Sequence, residues 1–329
     1  VLANTPGYGQ LYKVRPTKGR VWYCNADHIL SLRKSRQPGA GTIKFATVAE
    51  WLEWTPHQKS EWKLWRTGVD NFAPVPTPTV DPYLIGLVLG DGDSAISDGI
   101  TVTTADPEIV TYLQAQAAEW NLECVQRSYL RYGLVGKTYR SNTLLKELQT
   151  LLPAMSCSTK FVPHNYRTGS KHTRLQILAG LLDSDGSLTP TNTFDFVSKS
   201  RQLADDVAFI ARSLGLLANI KSCLKACGSF VGEYWRVLIS GNVDMIPCKL
   251  PRKQATPRKQ IKDVLNVGFT IEKDLEGWWA GLSVDGDNQF LLDDFTVMHN
   301  SQAINPAEAI LKATKKFTIA PNSVTKASY

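Results

Sequence analysis

Two segments of this chain repeat one pattern. They are Leu84-Ile85-Gly86-Leu87-Val88-Leu89-Gly90-Asp91-Gly92 and Leu178-Ala179-Gly180-Leu181-Leu182-Asp183-Ser184-Asp185-Gly186. Each is an apolar run with small residues four apart, and each stops at Asp-Gly. Read as helices, they place Gly86 and Gly90 on one face, and Gly180 and Ser184 on another. A glycine inside a helix costs about 1 kcal/mol, so such a stripe calls for a compensation. Close approach of two helix backbones supplies one. Gly92 and Gly186 are then expected to close the helices in the left-handed conformation. Asp91 and Asp185 fall in the last turn, where the helix dipole disfavours a negative charge. Two acids brought to adjacent helix ends repel unless a cation sits between them, and hard carboxylate oxygens suit Mg²⁺.

The rest of the chain is organised around this repeat. Residues 1 to about 48 read as strands, with Leu11-Tyr12-Lys13-Val14 and Val21-Trp22-Tyr23-Cys24 between Gly and Pro. Val48 to Trp65, with Trp51, Leu52, Trp54, Trp62 and Trp65 among charges, reads as a helical linker. Ala73-Pro74-Val75-Pro76-Thr77-Pro78 is an extended boundary. After each Asp-Gly come β-like segments, Ile100–Thr103 and Phe194–Val197. Helical ones follow, Pro107–Glu119 and Ser200–Leu214, giving an α/β repeat. Gly277–Val284, a turn at Asp285–Asn288 and Gln289–Leu292 read as strand, turn and strand, with Phe295–Met298 as a further strand. One β domain interrupted by another domain accounts for this order.

The 329 residues carry a net charge of +7 and a pI near 9.0, a balance that permits binding to a polyanion. No apolar stretch is long enough to span a bilayer. The six cysteines, Cys24, Cys124, Cys157, Cys223, Cys227 and Cys248, form no CxxC pair, and most read as small buried hydrophobes. Two basic sets stand out. Arg127, Arg131, Lys137 and Arg140 surround an aromatic segment. Lys249, Arg252, Lys253, Arg258, Lys259 and Lys262 form a run. Antiparallel strands carrying such residues can enter a DNA groove.

The two Asp-Gly segments resemble the paired motifs of LAGLIDADG homing endonucleases, the second closely. In the first, Leu89 and Gly90 replace the acid and alanine of the name. The resemblance implies a single-chain, two-repeat αββαββα enzyme with pseudo-two-fold symmetry that breaks double-stranded DNA, with Asp91 and Asp185 holding the catalytic Mg²⁺. Thr159-Lys160-Phe161-Val162-Pro163 resembles the motif carrying an active-site lysine, and its partner is Lys249 or Lys253. Arg127, Arg131, Lys137, Arg140, Arg252, Arg258 and Lys259 are the expected DNA contacts.

The segment Asp285–Ser301, ending Val297-Met298-His299-Asn300-Ser301, resembles the C-terminal splicing motifs of nuclear-encoded eukaryotic inteins. There Asn300 cyclises and cleaves the chain, His299 donates a proton to the leaving amine, and Ser301 offers an acyl-accepting hydroxyl. Asn25-Ala26-Asp27-His28 resembles the motif whose His activates the N-terminal scissile peptide, with Asn25 for the usual Thr and Asn288 where relatives often carry His. The resemblance implies an α+β chain in which an all-β Hint-like splicing domain, with linker (1–72) and C-terminal part (265–300), is interrupted by the endonuclease (80–264; repeats about 80–165 and 170–264). Residues 301–329 follow as C-extein. Residue 1 is Val and only a short segment precedes His28, so the splicing domain is expected to lack its N-terminal start, through truncation in preference to a natural split. Expected partners are the intein-less DNA allele, the host exteins and the missing N-terminal segment. The chain is expected to act as a monomer, inside the cell in the compartment of the host. Rival readings are a degenerate DNA-binding relic and a freestanding endonuclease with a relic splicing domain.

Overall fold

The computed structural model describes residues 2–3, 7–92, 100–138, 141–153, 155–227, 230–257, 259–260, 262–283, 287–299 and 318–319. The fold is mixed α+β and divides into two compact units, one of residues 1–70 and 260–329, the other of residues 71–259. No helix among the described residues is long and apolar enough to cross a membrane.

The first unit opens with β1 (Leu2–Ala3), β2 (Gly7–Pro16), β3 (Trp22–Cys24), β4 (Ile29–Lys34) and β5 (Ile43–Thr47). The segment expected to be one helical linker is instead α1 (Val48–Glu53), α2 (Pro56–Glu61) and strand β6 (Trp62–Trp65). The physical reason lies at Thr47 and Thr55. Each closes a capping box, with Glu50 and Gln58 reaching back to the cap. Pro56 starts α2 and forces Thr55 to be extended, so α1 cannot run through. The two helices mean that the unit is not all-β. β7 (Val69–Asn71) leads to the second unit.

That unit begins with α3 (Pro82–Gly90), β8 (Ile100–Thr103), α4 (Pro107–Glu119), β9 (Leu122–Ser128), β10 (Arg131–Gly136) and α5 (Thr143–Leu151). It continues with α6 (His164–Arg167), α7 (Lys171–Asp185), β11 (Gly186–Leu188), β12 (Phe194–Ser198), α8 (Arg201–Ser213), β13 (Leu217–Cys227) and β14 (Phe230–Ser240). The strand orders are β8-β10-β9 and β11-β12-β14-β13, and Gly92 bridges to Val102 of β8. After α3 come one strand, a helix and a hairpin, and after α7 come two strands, a helix and a hairpin.

α3 is apolar on every side and buried from Tyr83 to Leu89, as a helix with no polar face must be. Asp81 caps it, its Oδ1 accepting from the Tyr83 and Leu84 amides. The small-residue stripe meets its counterpart on α7. A Cβ on Gly86 would lie 2.5 Å from the Ile177 oxygen, and one on Gly180 would lie 2.2 Å from the Tyr83 oxygen. The helices therefore touch backbone to backbone. One core, including Leu84, Leu87, Ile177, Leu181, Phe194, Phe196 and Val237, surrounds this contact.

Gly92 and Gly186 are not left-handed, contrary to the sequence expectation. Gly186 is extended, at φ −86° and ψ 157°, and begins β11, while Gly92 is absent from the residues with positive φ. α7 runs straight into β11, so no reversal is needed there. Glycine is required because a Cβ would meet the Val88 oxygen at 2.3 Å or the Leu182 oxygen at 2.7 Å.

The chain returns to the first unit through β15 (Asn266–Val267), β16 (Phe269–Trp279), β17 (Leu282–Ser283), β18 (Gln289–Leu291) and β19 (Val297–His299). Its sheets are β16-β2-β3, β15-β6-β4-β5, β18-β19 and β1-β17. β18 pairs with β19, not with the Gly277–Val284 segment, whose strands take β2 and β1 as partners. Val14, Trp22, Leu32, Trp51 and Met298 belong to this unit's core.

Candidate active site and nucleic-acid face

Asp91 is the C-cap of α3 and Asp185 the last residue of α7. The helix contact brings them together: a Cβ on Gly90 would lie 1.9 Å from Ser184 Oγ and 3.5 Å from Asp185 Oδ2. Burial, and then the neighbouring Asp185 charge, raise the Asp91 pKa to about 6, against the pull of Lys253 and Lys160. Burial also raises Asp185, against the pull of Lys160, Lys253 and Lys225. Its side chain faces solvent on one side and is walled by protein on the other.

Both lysines are anchored on the helix ends. Lys160 Nζ donates to the Gly90 oxygen at 3.0 Å, and its own carbonyl accepts from Ser200 Oγ at 2.6 Å. Lys253 Nζ donates to the oxygens of Leu182, Asp183 and Ser184 at 2.9, 2.6 and 3.2 Å. Burial lowers the pKa of both lysines, and the carboxylates work against that. Lys249 is engaged elsewhere. Its amide donates to Asp183 Oδ2 at 2.6 Å, and its Nζ lies 4.7 and 5.0 Å from the ring centres of Tyr83 and Tyr112. Of the two lysines left open by the sequence, Lys253 is the one beside the carboxylates.

Sequence reading overlooked Asp183. It is buried, and its Oδ2 accepts from Tyr83 OH at 2.6 Å as well as from the Lys249 amide. It thereby ties α3, α7 and the Cys248–Lys253 segment together. The signal was available, since Leu89 holds the matching place in the first motif.

Residues 172–246, from α7 to β14, match a protein-family description. The description matched is that of a LAGLIDADG-like domain. Replicative DNA helicase DnaB of Mycobacterium intracellulare is 32% identical over 136 residues, 41% of this chain and 19% of that protein. The chain thus spans about a fifth of the length of that curated relative. Solved structures of mesophilic variants of the homing endonuclease I-DmoI align at a TM-score of 0.34 and 16% identity, covering 50% of this chain and 93% of theirs. I-DmoI in complex with DNA and Ca aligns at 0.33 and 16%, covering 49% and 82%.

Within the matched residues, β12 and β14 turn Phe194, Phe196, Val237 and Ile239 inward. By alternation, Asp195, Val197 and Arg236 occupy the opposite face, with Lys221 and Tyr234 beside them. Lys221, Lys225, Tyr234 and Arg236 were not singled out from sequence, although Lys221 alternates with the core residue Ile220. The first sheet is built alike. Arg127 lies across Gly133, where a Cβ would stand 2.6 Å from its Nε, and Arg131 pairs with Thr103. The other expected DNA contacts fare differently. Lys137 Nζ donates to Asn121 Oδ1 at 2.8 Å, Arg252 grips both oxygens of Asp106, and Lys259 is exposed. Arg140 and Arg258 lie outside the described residues.

In the other unit, His28 is fully buried beside Trp22, their ring centres 5.4 Å apart. Burial, and then the charge of nearby His299, hold its pKa down at about 3. His299 sits opposite Gln289 on β19, its ring 5.0 Å from that of Phe45. The two expected splicing histidines are therefore neighbours. Cys24 is buried, and its thiol pKa is pushed up. Asn300, Ser301 and nearly all of the expected C-extein, except Thr318 and Ile319, lie outside the described residues.

Proposed function

We propose that residues 71–259 are a homing endonuclease that makes metal-dependent double-strand breaks in DNA. The observation that carries this reading is the pairing of Asp91 and Asp185 at touching helix ends, with Lys160 and Lys253 anchored beside them. The donor set fits a hard divalent cation. Burial, and then the Asp185 charge, disfavour ionised Asp91, which a cation would offset, and Mg²⁺ takes one or two carboxylates while keeping waters.

Asp91 and Asp185 would hold Mg²⁺, which supplies an activated water and charge neutralisation at the phosphate. The two lysines add positive charge where the leaving oxygen develops its own. Their anchoring on helix carbonyls fixes them before DNA arrives. The two sheets support groove binding through Arg127, Arg131, Lys221, Lys225 and Arg236. The order β8-β10-β9 recurs as β12-β14-β13 within the four-stranded sheet, which suits a pseudo-two-fold monomer on a long site. A plasmid bearing the joined host sequence should be linearised with Mg²⁺ and left intact with chelator. Equal cutting in both conditions would overturn the metal-dependent reading.

The proximity of His28 and His299 favours a second activity, protein splicing by the other unit. In this proposal residues 1–70 and 260–300 form a Hint-type element of nuclear-encoded eukaryotic kind, with Asn300 cyclising, Ser301 accepting the acyl group and 301–329 as C-extein. An N-terminal part supplied in trans should yield ligated product. If that part is present and the segment from Ser301 is still not released, His299 and Asn300 are inert.

A further inference from the structure

Arg131 and Arg236 stand at matching registers of the two sheets. Thr103 is twelve residues after Asp91 and pairs with Arg131, while Val197 is twelve residues after Asp185 and pairs with Arg236. Both arginines alternate with residues packed on the core. Tyr132 and Leu134 follow the first, and Trp235 and Val237 flank the second. Each is therefore on the face away from the helices, equally far along its sheet from its carboxylate.

Their neighbours differ. Asp195, ten residues after Asp185, lies beside Arg236 with its Oδ1 3.3 Å from Nε. Thr101 holds the corresponding place near Arg131. The two make an ion pair without a hydrogen bond between Nε and Oδ1, so the carboxylate holds the guanidinium by charge and leaves its two terminal nitrogens as a fork for a ligand. It also repels phosphate, so the fork is steered from the DNA backbone toward base edges. Guanine presents O6 and N7 to the major groove at the spacing such a fork matches. Arg236 keeps 41% of its side chain exposed, enough to reach a base.

We propose that Arg131 and Arg236 read a guanine in opposite halves of the DNA site, equidistant from the point of cleavage, and that Asp195 makes the Arg236 reading the stricter. This rests on the endonuclease reading above. The test starts from a duplex recovered from a random-sequence pool by binding to the full chain. Each guanine in turn is replaced by 7-deazaguanine, which lacks the N7 acceptor.

For the wild type, one guanine in each half should be sensitive, losing about tenfold in affinity. Arg236→Gln should abolish the sensitivity in one half only, and Arg131→Gln in the other. Asp195→Asn should keep binding but reduce the discrimination at the Arg236 guanine. The same thermal midpoint in the three variants and the wild type would show that the fold is intact. If Arg236→Gln weakens all duplexes equally, or leaves the 7-deazaguanine pattern unchanged, the inference is overturned while the endonuclease reading stands. If the wild type recovers no duplex from the pool, both fall.

Discussion

At the end of α3 the Gly90 carbonyl takes one bond from Lys160, while at the end of α7 three successive carbonyls converge on Lys253. The second end also has Asp183 clamped between Tyr83 and the Lys249 amide, where the first has Leu89. Two helix termini built on the same pattern are thus held unequally. The α7 end, with more orphan carbonyls satisfied, is a fixed platform. The α3 end relies more on contact with its partner, and its carboxylate is the one raised to about 6. Similar motifs therefore do not imply similar rigidity. The comparison predicts which substitutions are felt throughout the unit and which stay local.

The largest effect is expected where both ends depend on one contact. Gly180→Leu would drive a side chain into the Tyr83 carbonyl, which is backbone and cannot swing aside. A loss of about 3 kcal/mol or more in chemical denaturation is expected, with cutting abolished. Retention of wild-type stability would break the close-approach account.

Next come the lysines. Lys253→Met takes a donor from three carbonyls, of which Leu182 keeps the Gly186 amide, and should destabilise by about 1–3 kcal/mol, whereas Lys160→Met takes a donor from the Gly90 carbonyl alone and should cost about 1 kcal/mol or less. Both should reduce cleavage. Equal losses of stability would remove the asymmetry between the two ends.

Gly90→Ala is expected to cost about 1–2 kcal/mol, because its methyl meets the Ser184 side chain rather than backbone. Ser184→Gly in the same chain should restore part of that loss. A double-mutant cycle without coupling would place the two helix ends further apart.

The smallest effect is on pH dependence. A raised carboxyl binds its proton in the folded state at pH values where the unfolded chain has released it. Between about pH 4 and 6 the metal-free fold should therefore lose stability as pH rises, and Asp91→Asn should flatten that slope. Cleavage should run the other way, falling as pH drops below about 6 and Asp91 takes up a proton. An unchanged slope in Asp91→Asn would assign the titration to another group.

The helix contact was legible because spacing alone puts Gly86, Gly90, Gly180 and Ser184 on two faces. The break between α1 and α2 was also written in the chain, as Thr55-Pro56, but the tryptophans around it suggested continuity. The choice between Lys249 and Lys253 was not legible. Both lie in an irregular segment without period, and a short helical turn at Pro251–Lys253, together with the grip of Asp183 on the Lys249 amide, decides it. Arg252 has the composition of a DNA contact, but its engagement by Asp106 is set by residues far away in sequence. Lys221 and Arg236 became readable only once strand register had fixed which side of the sheet they take.

The central claim is that one site is made by two carboxylates, neither sufficient alone. It is tested most directly by comparing Asp91→Asn and Asp185→Asn with the wild type in Mg²⁺-dependent cleavage of the joined host sequence. Both single variants should lose double-strand cleavage while still binding the duplex. Cutting at the wild-type rate by either one would contradict the shared site.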